Sequence, residues 1–225
     1  MMNNPHILKT FDKELKTLKD KILEMGEMVQ EAIAASIRSL VERDSDLARK
    51  VIEDDHKVNE LEVQIDGICL SLIALRQPAG GDLRFIATGL KVNVDLERIG
   101  DLAVNISERA LDLNKEPQLK PYIDIPRMDE DVRWMIRGAL DAYVKKDEAI
   151  AMEVIQRDEE VDQLNMQIAR ELLTYMMEDA KKVSSAMKIM MVSKYLERAA
   201  DHAVNVAEQA IFMMKGTVVR HQKII

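Results

Sequence analysis

The chain has 225 residues, 47% of them hydrophobic, which excludes a disordered chain and allows one large domain or two of roughly 100 residues. Aromatics make up only 4%, with 8 Gly and 5 Pro, so the interior must be aliphatic and Met-rich, and breakers are scarce enough to permit long helices rather than sheets. A formal charge of -8 argues against a sequence-independent nucleic-acid binder, which needs a Lys/Arg face to neutralise phosphates, and points to proteins or cations as partners.

In chain order, Phe11, Leu15, Leu18, Ile22, Met25, Val29 and Ala32 recur at alternating spacings of four and three, the seam of a helix packed lengthwise on its neighbours. That spacing predicts a first helix from Pro5 to Glu42. Asp44-Ser-Asp46 supplies turn and N-cap side chains for a second helix, which Gln77-Pro78 should stop near Arg76 because the residue before proline is pushed out of α geometry. Gly80-Gly81-Asp82 reads as a short loop with an N-cap, leading into a third helix that ends near Asn114. Lys115 to Pro126, with three prolines, reads as a linker. Three more helices follow with short connections, at Asp129 to Lys146, Asp147 to about Met177, and Ser184 to about Lys215. The fold class expected is all-α, six long helices, with repeat 1 over residues 1–114, a linker over 115–128 and repeat 2 over 129–225.

The second half repeats the first. Val41 to Asp55 pairs with Val144 to Asp158 at an offset of 103, whereas the third helices pair at 100, which places a three-residue shortening in the loop before them. Within those helices Leu96 to Ala110 and Leu196 to Ala210 share nine of fifteen residues. Glu97, Asp101, Asn105 and Glu108 fall within an arc of about 80° on one helix stripe that also holds Leu90, Val94, Val104 and Leu111. Carboxylates desolvated together among aliphatics repel unless a proton or cation compensates, and a metal ion is the economical solution.

The second helix offers a matching stripe, Asp55, Asn59, Glu62 and Asp66, which antiparallel packing would set against the third. In the second half Asp158, Asp162 and Asn165 keep oxygens, Asn205 and Glu208 repeat the end of the motif, but Ala169 stands where Asp66 stood and Lys194 replaces Val94 beside Glu197. A weaker second site, or one compensated by Lys194, is the expectation. An all-oxygen set suits Mg, Mn, Fe or Zn, without choosing among these divalent or trivalent ions. The plainer alternative is that these are ordinary surface charges of a helical scaffold.

Other features point elsewhere. Glu53-x-x-His56 has the spacing of a ferritin-type di-metal carboxylate enzyme, but Glu53 points about 180° from Glu62 and there is no second copy. His202 reads as packing or surface on the face opposite Asp201, Cys69 as a buried inert thiol, and the 15 methionines as core filler. No phosphate-cradling Gly-rich loop, nucleophile elbow or thiol pair is present, so no catalytic or organic-cofactor residues are assigned. The N-terminus lacks the apolar core of a signal peptide and no run approaches the ~18 apolar residues of a membrane span, so a cytoplasmic protein is expected.

Met25-Gly-Glu-Met-Val29, Asp44-Ser-Asp-Leu-Ala48, Val58-Asn59, Arg76-Gln-Pro78 followed by Asp82-Leu-Arg84, Leu96 to Asp101, Tyr175 to Asp179, Leu196-Glu-Arg198 and the closing Gly216 to Arg220-His221, taken in order, resemble the PhoU family of accessory regulators of bacterial phosphate-specific transport. The resemblance spans nearly the whole chain. It implies two pseudo-symmetric three-helix bundles, metal-binding Glu/Asp-x-x-x-Asp motifs, a homodimer and no catalytic activity. Carried over, those motifs fall on Glu97/Asp101, Glu197/Asp201 and Glu62/Asp66, with Asn165/Ala169 leaving the last pair incomplete in the second half. The implied role is to repress the phosphate-starvation response and modulate uptake by linking the ATPase subunit of the phosphate ABC transporter to a sensor histidine kinase. Contact with a membrane would be only indirect, through those partners.

Overall fold

A computed structural model of the chain describes residues 5–216. Six α-helices account for most of it: α1 (Pro5–Val41), α2 (Ser45–Arg76), α3 (Gly80–Leu113), α4 (Asp124–Lys145), α5 (Glu148–Glu178) and α6 (Val183–Lys215), with a 3-10 turn at Ala180–Lys182 before α6. No strand occurs among the described residues, and none of the helices is long and apolar enough to cross a membrane.

The helix boundaries follow local chemistry. Asp44 Oδ1 accepts from the backbone N–H of Asp46 (3.0 Å) and Leu47 (2.9 Å), and Asp147 Oδ1 does the same for Ala149 (2.9 Å) and Ile150 (3.3 Å). Arg43 and Lys146, just before these caps, both take left-handed backbone, with φ 59° and 56°. The duplication therefore extends to turn geometry. Helix α2 ends where expected, although Gln77 closes it in the left-handed region (φ 49°, ψ 52°) rather than in the extended region. Gly80 to Asp82 belong to α3 rather than to a loop, and the cap position falls on Ala79, which offers no side-chain bond. Helix α4 starts at Asp124, five residues earlier than the sequence suggested, because Pro126 sits in its first turn, where a missing N–H breaks no helical bond.

Helices α1, α2 and α3 pack on one another, as do α4, α5 and α6, and the two sets join through α3 against α6 and α1 against α4. The α3/α6 pair is antiparallel: Arg84 Nε donates to the carbonyl of Met213 (3.0 Å) at one end, and Asp95 meets His202 (2.9 Å) nearer the centre. Buried side chains from all six helices, including Ile22, Ile65, Ile99, Ile136, Ile168 and Ile189, form one continuous core. Tyr143 is fully buried, stacked on Phe85 (ring centroids 4.9 Å apart), and donates to the Phe85 carbonyl (3.0 Å), tying α4 to α3. Gly26 has no side chain because a Cβ there would run into Leu140 of α4. Cys69 is buried and unpaired, and burial pushes its thiol up to about 12, so it stays a protonated, inert filler as expected.

The connection between the halves is fastened down. Arg43 Nη2 donates to the carbonyls of Asn114 (2.9 Å) and Glu116 (2.5 Å), and the Glu116 carboxylate accepts from Ser185 (2.6 Å) and Lys188 (2.8 Å) on α6. Lys120 is buried against the Glu171 carboxylate of α5.

Candidate metal centre

Because α1 packs on α4 and α3 on α6, helices α2, α3, α6 and α5 lie side by side, with the α2/α3 and α5/α6 grooves open on one face. Each groove gathers carboxylates from two helices. In the first half Asp55 and Glu62 of α2 and Glu97 of α3 are half-buried and crowd one another. Burial, and then the charge of Asp101, raise the Glu97 carboxyl above its usual range, with Glu62 and Asp55 adding to the rise. Burial and Asp101 likewise raise Asp55, opposed by a hydrogen bond from Asn59 Nδ2 (2.9 Å). Arg98 relieves part of this, lying 3.1 Å from Asp101 and 3.4 Å from Glu97, so it pairs along its own helix rather than bridging to another.

Asp66 stands apart from this cluster. The buried Asn93 of α3 donates from Nδ2 to Asp66 Oδ1 (2.9 Å) and to the Glu62 carbonyl (2.9 Å), holding Asp66 at the seam. Of the acids assigned by resemblance in this half, Glu62, Glu97 and Asp101 come together, and Asp55 takes the fourth place. Asn105 turns back to the Asp101 carbonyl (2.8 Å), and Glu108 is exposed beside Arg109 (3.4 Å).

In the second half Asp158 and Asp162 of α5 face Glu197 and Asp201 of α6. Burial, reinforced by Asp162, Asp201 and Glu197, pushes Asp158 up to about 7. Asp162 and Asp201 are raised too, by burial first and then by Glu197. Asp158 Oδ1 is buried with no hydrogen-bond partner. Lys194 lies 2.6 Å from Glu197, the compensation that its position suggested. Asp162 stands where the first half has Asn59, and Asn165 stands where it has Glu62, so the carboxylate gained at one position is offset by the one lost at the other. Each cluster therefore counts four carboxylates, and the larger rise falls on Asp158 in the second. Asn165 accepts a hydrogen bond from Ser193 Oγ (2.7 Å), the counterpart of the Asn93 pin. Asn205 leaves the groove for Asp95 of α3 (3.4 Å), and Glu208 is half-buried one turn on.

His202 is neither packing nor free surface, since its Nδ1 meets Asp95 Oδ1 at 2.9 Å across the α3/α6 seam. His56 Nδ1 lies against the Glu53 carbonyl of its own turn (2.7 Å), so the Glu-x-x-His spacing reflects helix geometry. Sequence reasoning missed Asn93, although an Asn between Val92 and Val94 on the inward side of a helix was a visible signal.

No three His, Cys, Asp or Glu side chains among the described residues are grouped as they would be around one metal ion. The donor set nonetheless fits a hard cation. Two helices present oxygens with excess negative charge, and the orphaned Asp158 oxygen marks where positive charge is missing.

The PhoU domain model matches residues 22–110 and 125–210, the two halves in the register set by the sequence repeat. The phosphate-specific transport system accessory protein PhoU homolog of Aquifex aeolicus is 43% identical over 212 residues, covering 94% of this chain and 96% of that protein. The protein named phosphate-specific transport system accessory protein PhoU in Escherichia coli K12 is 34% identical over 218 residues, covering 97% of this chain and 90% of its own length. Among solved structures, PhoU from Pseudomonas aeruginosa superposes with a TM-score of 0.88 at 38% identity, covering 92% of this chain and all of that one. The phosphate transport system regulatory protein PhoU from Streptococcus pneumoniae gives 0.87 at 29% identity, covering 93% and 99%. With both repeats matched and nearly the full length aligned, the chain belongs to the PhoU family.

Proposed function

We propose that this chain is a non-enzymatic accessory regulator of phosphate uptake, a cation-loaded adaptor that restrains the phosphate-starvation response when phosphate is plentiful. Its docking partners would be the ATPase subunit of the phosphate ABC transporter and a sensor histidine kinase, placing it in the cytoplasm as a homodimer. The observation that carries the reading is the pair of four-carboxylate clusters open on one face, in a chain whose relatives are named as phosphate transport accessory proteins.

Asp55, Glu62, Glu97 and Asp101 would hold cations in the first half, and Asp158, Asp162, Glu197 and Asp201 in the second. A bound divalent or trivalent ion supplies positive charge that relieves the mutual repulsion of these carboxylates. Once that charge is neutralised the facing carboxylates would no longer push α2 from α3 or α5 from α6, while Asn93 and Ser193 hold the two seams in register. Protonation of Asp158 is the competing way to shed the same charge.

The reading is tested in a strain lacking the chromosomal copy and carrying a reporter driven by phosphate starvation. The wild-type chain should silence the reporter in high phosphate and co-purify with both partners, and Glu97→Ala/Asp101→Ala with Glu197→Ala/Asp201→Ala should do neither. Elemental analysis of protein purified without chelator should find metal only in the wild type. Full silencing by the quadruple variant would remove the acidic face from the mechanism.

A further inference from the structure

We propose that Lys194 is a tethered counter-cation of the second carboxylate cluster, one that a metal ion must displace, so that the two clusters load in order, the first before the second. The inference rests on the reading of both clusters as cation sites and adds how their loading is regulated.

The repeat isolates the residue responsible. The arginine that follows the first acid of the motif, Arg98 or Arg198, is common to both halves and cannot make them differ. One helical turn before that acid the halves part, the first having Val94 and the second Lys194, equivalent positions at the repeat offset of 100. Both side chains are open to water on the face that carries the carboxylates.

Position on the helix gives the two cations different reach. Arg98 lies about 100° round α3 from Glu97 and pairs with Glu97 and Asp101 of its own helix, at 3.4 Å and 3.1 Å. The relief that Asp55 receives across that groove comes from Asn59 and His56 of α2. Lys194 lies about 60° round α6 from Glu197, and its Nζ is 2.6 Å from that carboxylate. Asp162 and Asp201 are raised by burial first and then by Glu197, and the Lys194 charge draws both back down, so it acts on α5 as well as on its own helix. A cation that serves both walls of the groove stands where a bridging ion would.

The compensation is partial and reversible. After burial, Asp162, Asp201, Glu197 and Glu159 all raise the Asp158 carboxyl, and its Oδ1 is buried without a hydrogen-bond partner, so one ammonium leaves the deepest oxygen of the cluster uncompensated. The Lys194 side chain is 57% exposed and that of Glu197 13%. The ammonium can therefore swing into water on its flexible four-carbon stem, releasing an acid already fixed in the groove. While it stays, it engages Glu197 and cancels part of the charge that attracts a metal ion. With Val94 in its place, the first cluster has no such competitor across its groove.

The test reads Mn²⁺ binding by the full chain at one fixed pH, from the loss of the free-ion electron paramagnetic resonance signal. Glu97→Ala/Asp101→Ala leaves the second cluster to be titrated alone, and Glu197→Ala/Asp201→Ala the first. In the former background Lys194→Met, which keeps the reach of the side chain and removes its charge, should bind Mn²⁺ at least about fivefold more tightly, as for the loss of an ion pair half open to water. Lys194→Arg should bring no such gain. In the latter background Val94→Lys should weaken binding by about as much. A gain in affinity cannot come from a misfolded chain, so Lys194→Met separates displacement from a merely structural role. The unmodified chain should take up Mn²⁺ in two steps that Lys194→Met draws together. A single step in the unmodified chain, or equal or weaker binding by Lys194→Met while the first cluster still loads, overturns this inference and leaves the cation reading standing. No Mn²⁺ at either cluster in any variant overturns the cation reading and this inference with it.

Discussion

Replacing Asp158 with Asn isolates the electrostatic stress in the second cluster. The carboxyl is raised from 3.8 to about 7 by burial and by Asp162, Asp201 and Glu197, so between those values the folded chain holds a proton that the unfolded chain has released. A group raised in this way loses stability for the fold as pH climbs through the window, reaching its full penalty above about 7. Three units at about 1.4 kcal/mol each would give about 4 kcal/mol. Asp158 is still partly open to water, and screening brings the realistic figure to about 1–2 kcal/mol. Urea denaturation of metal-free Asp158→Asn should therefore match wild type near pH 4 and exceed it by that amount at pH 8. Added Mn²⁺ or Zn²⁺ should narrow or reverse the difference, since the variant lacks one carboxylate of the second cluster. A wild-type-minus-variant difference that is flat with pH, or a variant less stable than wild type at pH 8 without metal, would refute the account.

Gly138→Ala should cost about 1–3 kcal/mol in urea midpoint, because the new Cβ meets the branched Val154 side chain rather than a flexible tip. Arg43→Ala, which strips the carbonyls of Asn114 and Glu116 of a charged donor, should lower stability by about 1.5–3 kcal/mol and increase proteolysis between residues 114 and 123. Asn93→Ala frees Asp66 and removes the second donor to the Glu62 carbonyl, at about 1 kcal/mol, and should alter first-cluster metal stoichiometry while leaving the second unchanged. Glu116, held below the usual carboxylate range by Lys188 and Ser185, contributes stability that is present above its unfolded value of 4.5 and lost in acid. Glu116→Gln should flatten the acid limb of the denaturation profile, and an unchanged limb would remove this clamp from consideration.

How much of this could be read in the sequence depends on whether a residue's partner lay on its own helix. Asp44 and Asp147 cap their own helices, so their roles were visible from four consecutive residues. The helical period put Glu97 and Asp101 on one stripe correctly. The partner of Asp66 was not legible, because the periodicity of α2 says where a side chain starts but not that Asn93, 27 residues away, will donate to it. Likewise a helical wheel places His202 about 100° round from Asp201, yet the wheel cannot display Asp95 arriving from α3. Pro126 misled for a different reason: its meaning depends on whether it falls in the first turn of a helix or before it, and one residue string allows both.

The Asp95–His202 pair has a history written in its asymmetry. Under the repeat offset of 100, the mirror positions across the α3/α6 seam hold Tyr195 and Leu102. Had two identical half-length chains met here, a two-fold axis would have forced each contact to occur twice over, and an acid–imidazole pair on one side of the seam's centre would demand the same pair on the other. A covalent link between the halves removes that demand, letting one side of the centre become polar while the other keeps an aromatic and a leucine. The divergence fixes which half is which, so a chain with its halves exchanged or repeated would lose the registration that Asp95 and His202 provide.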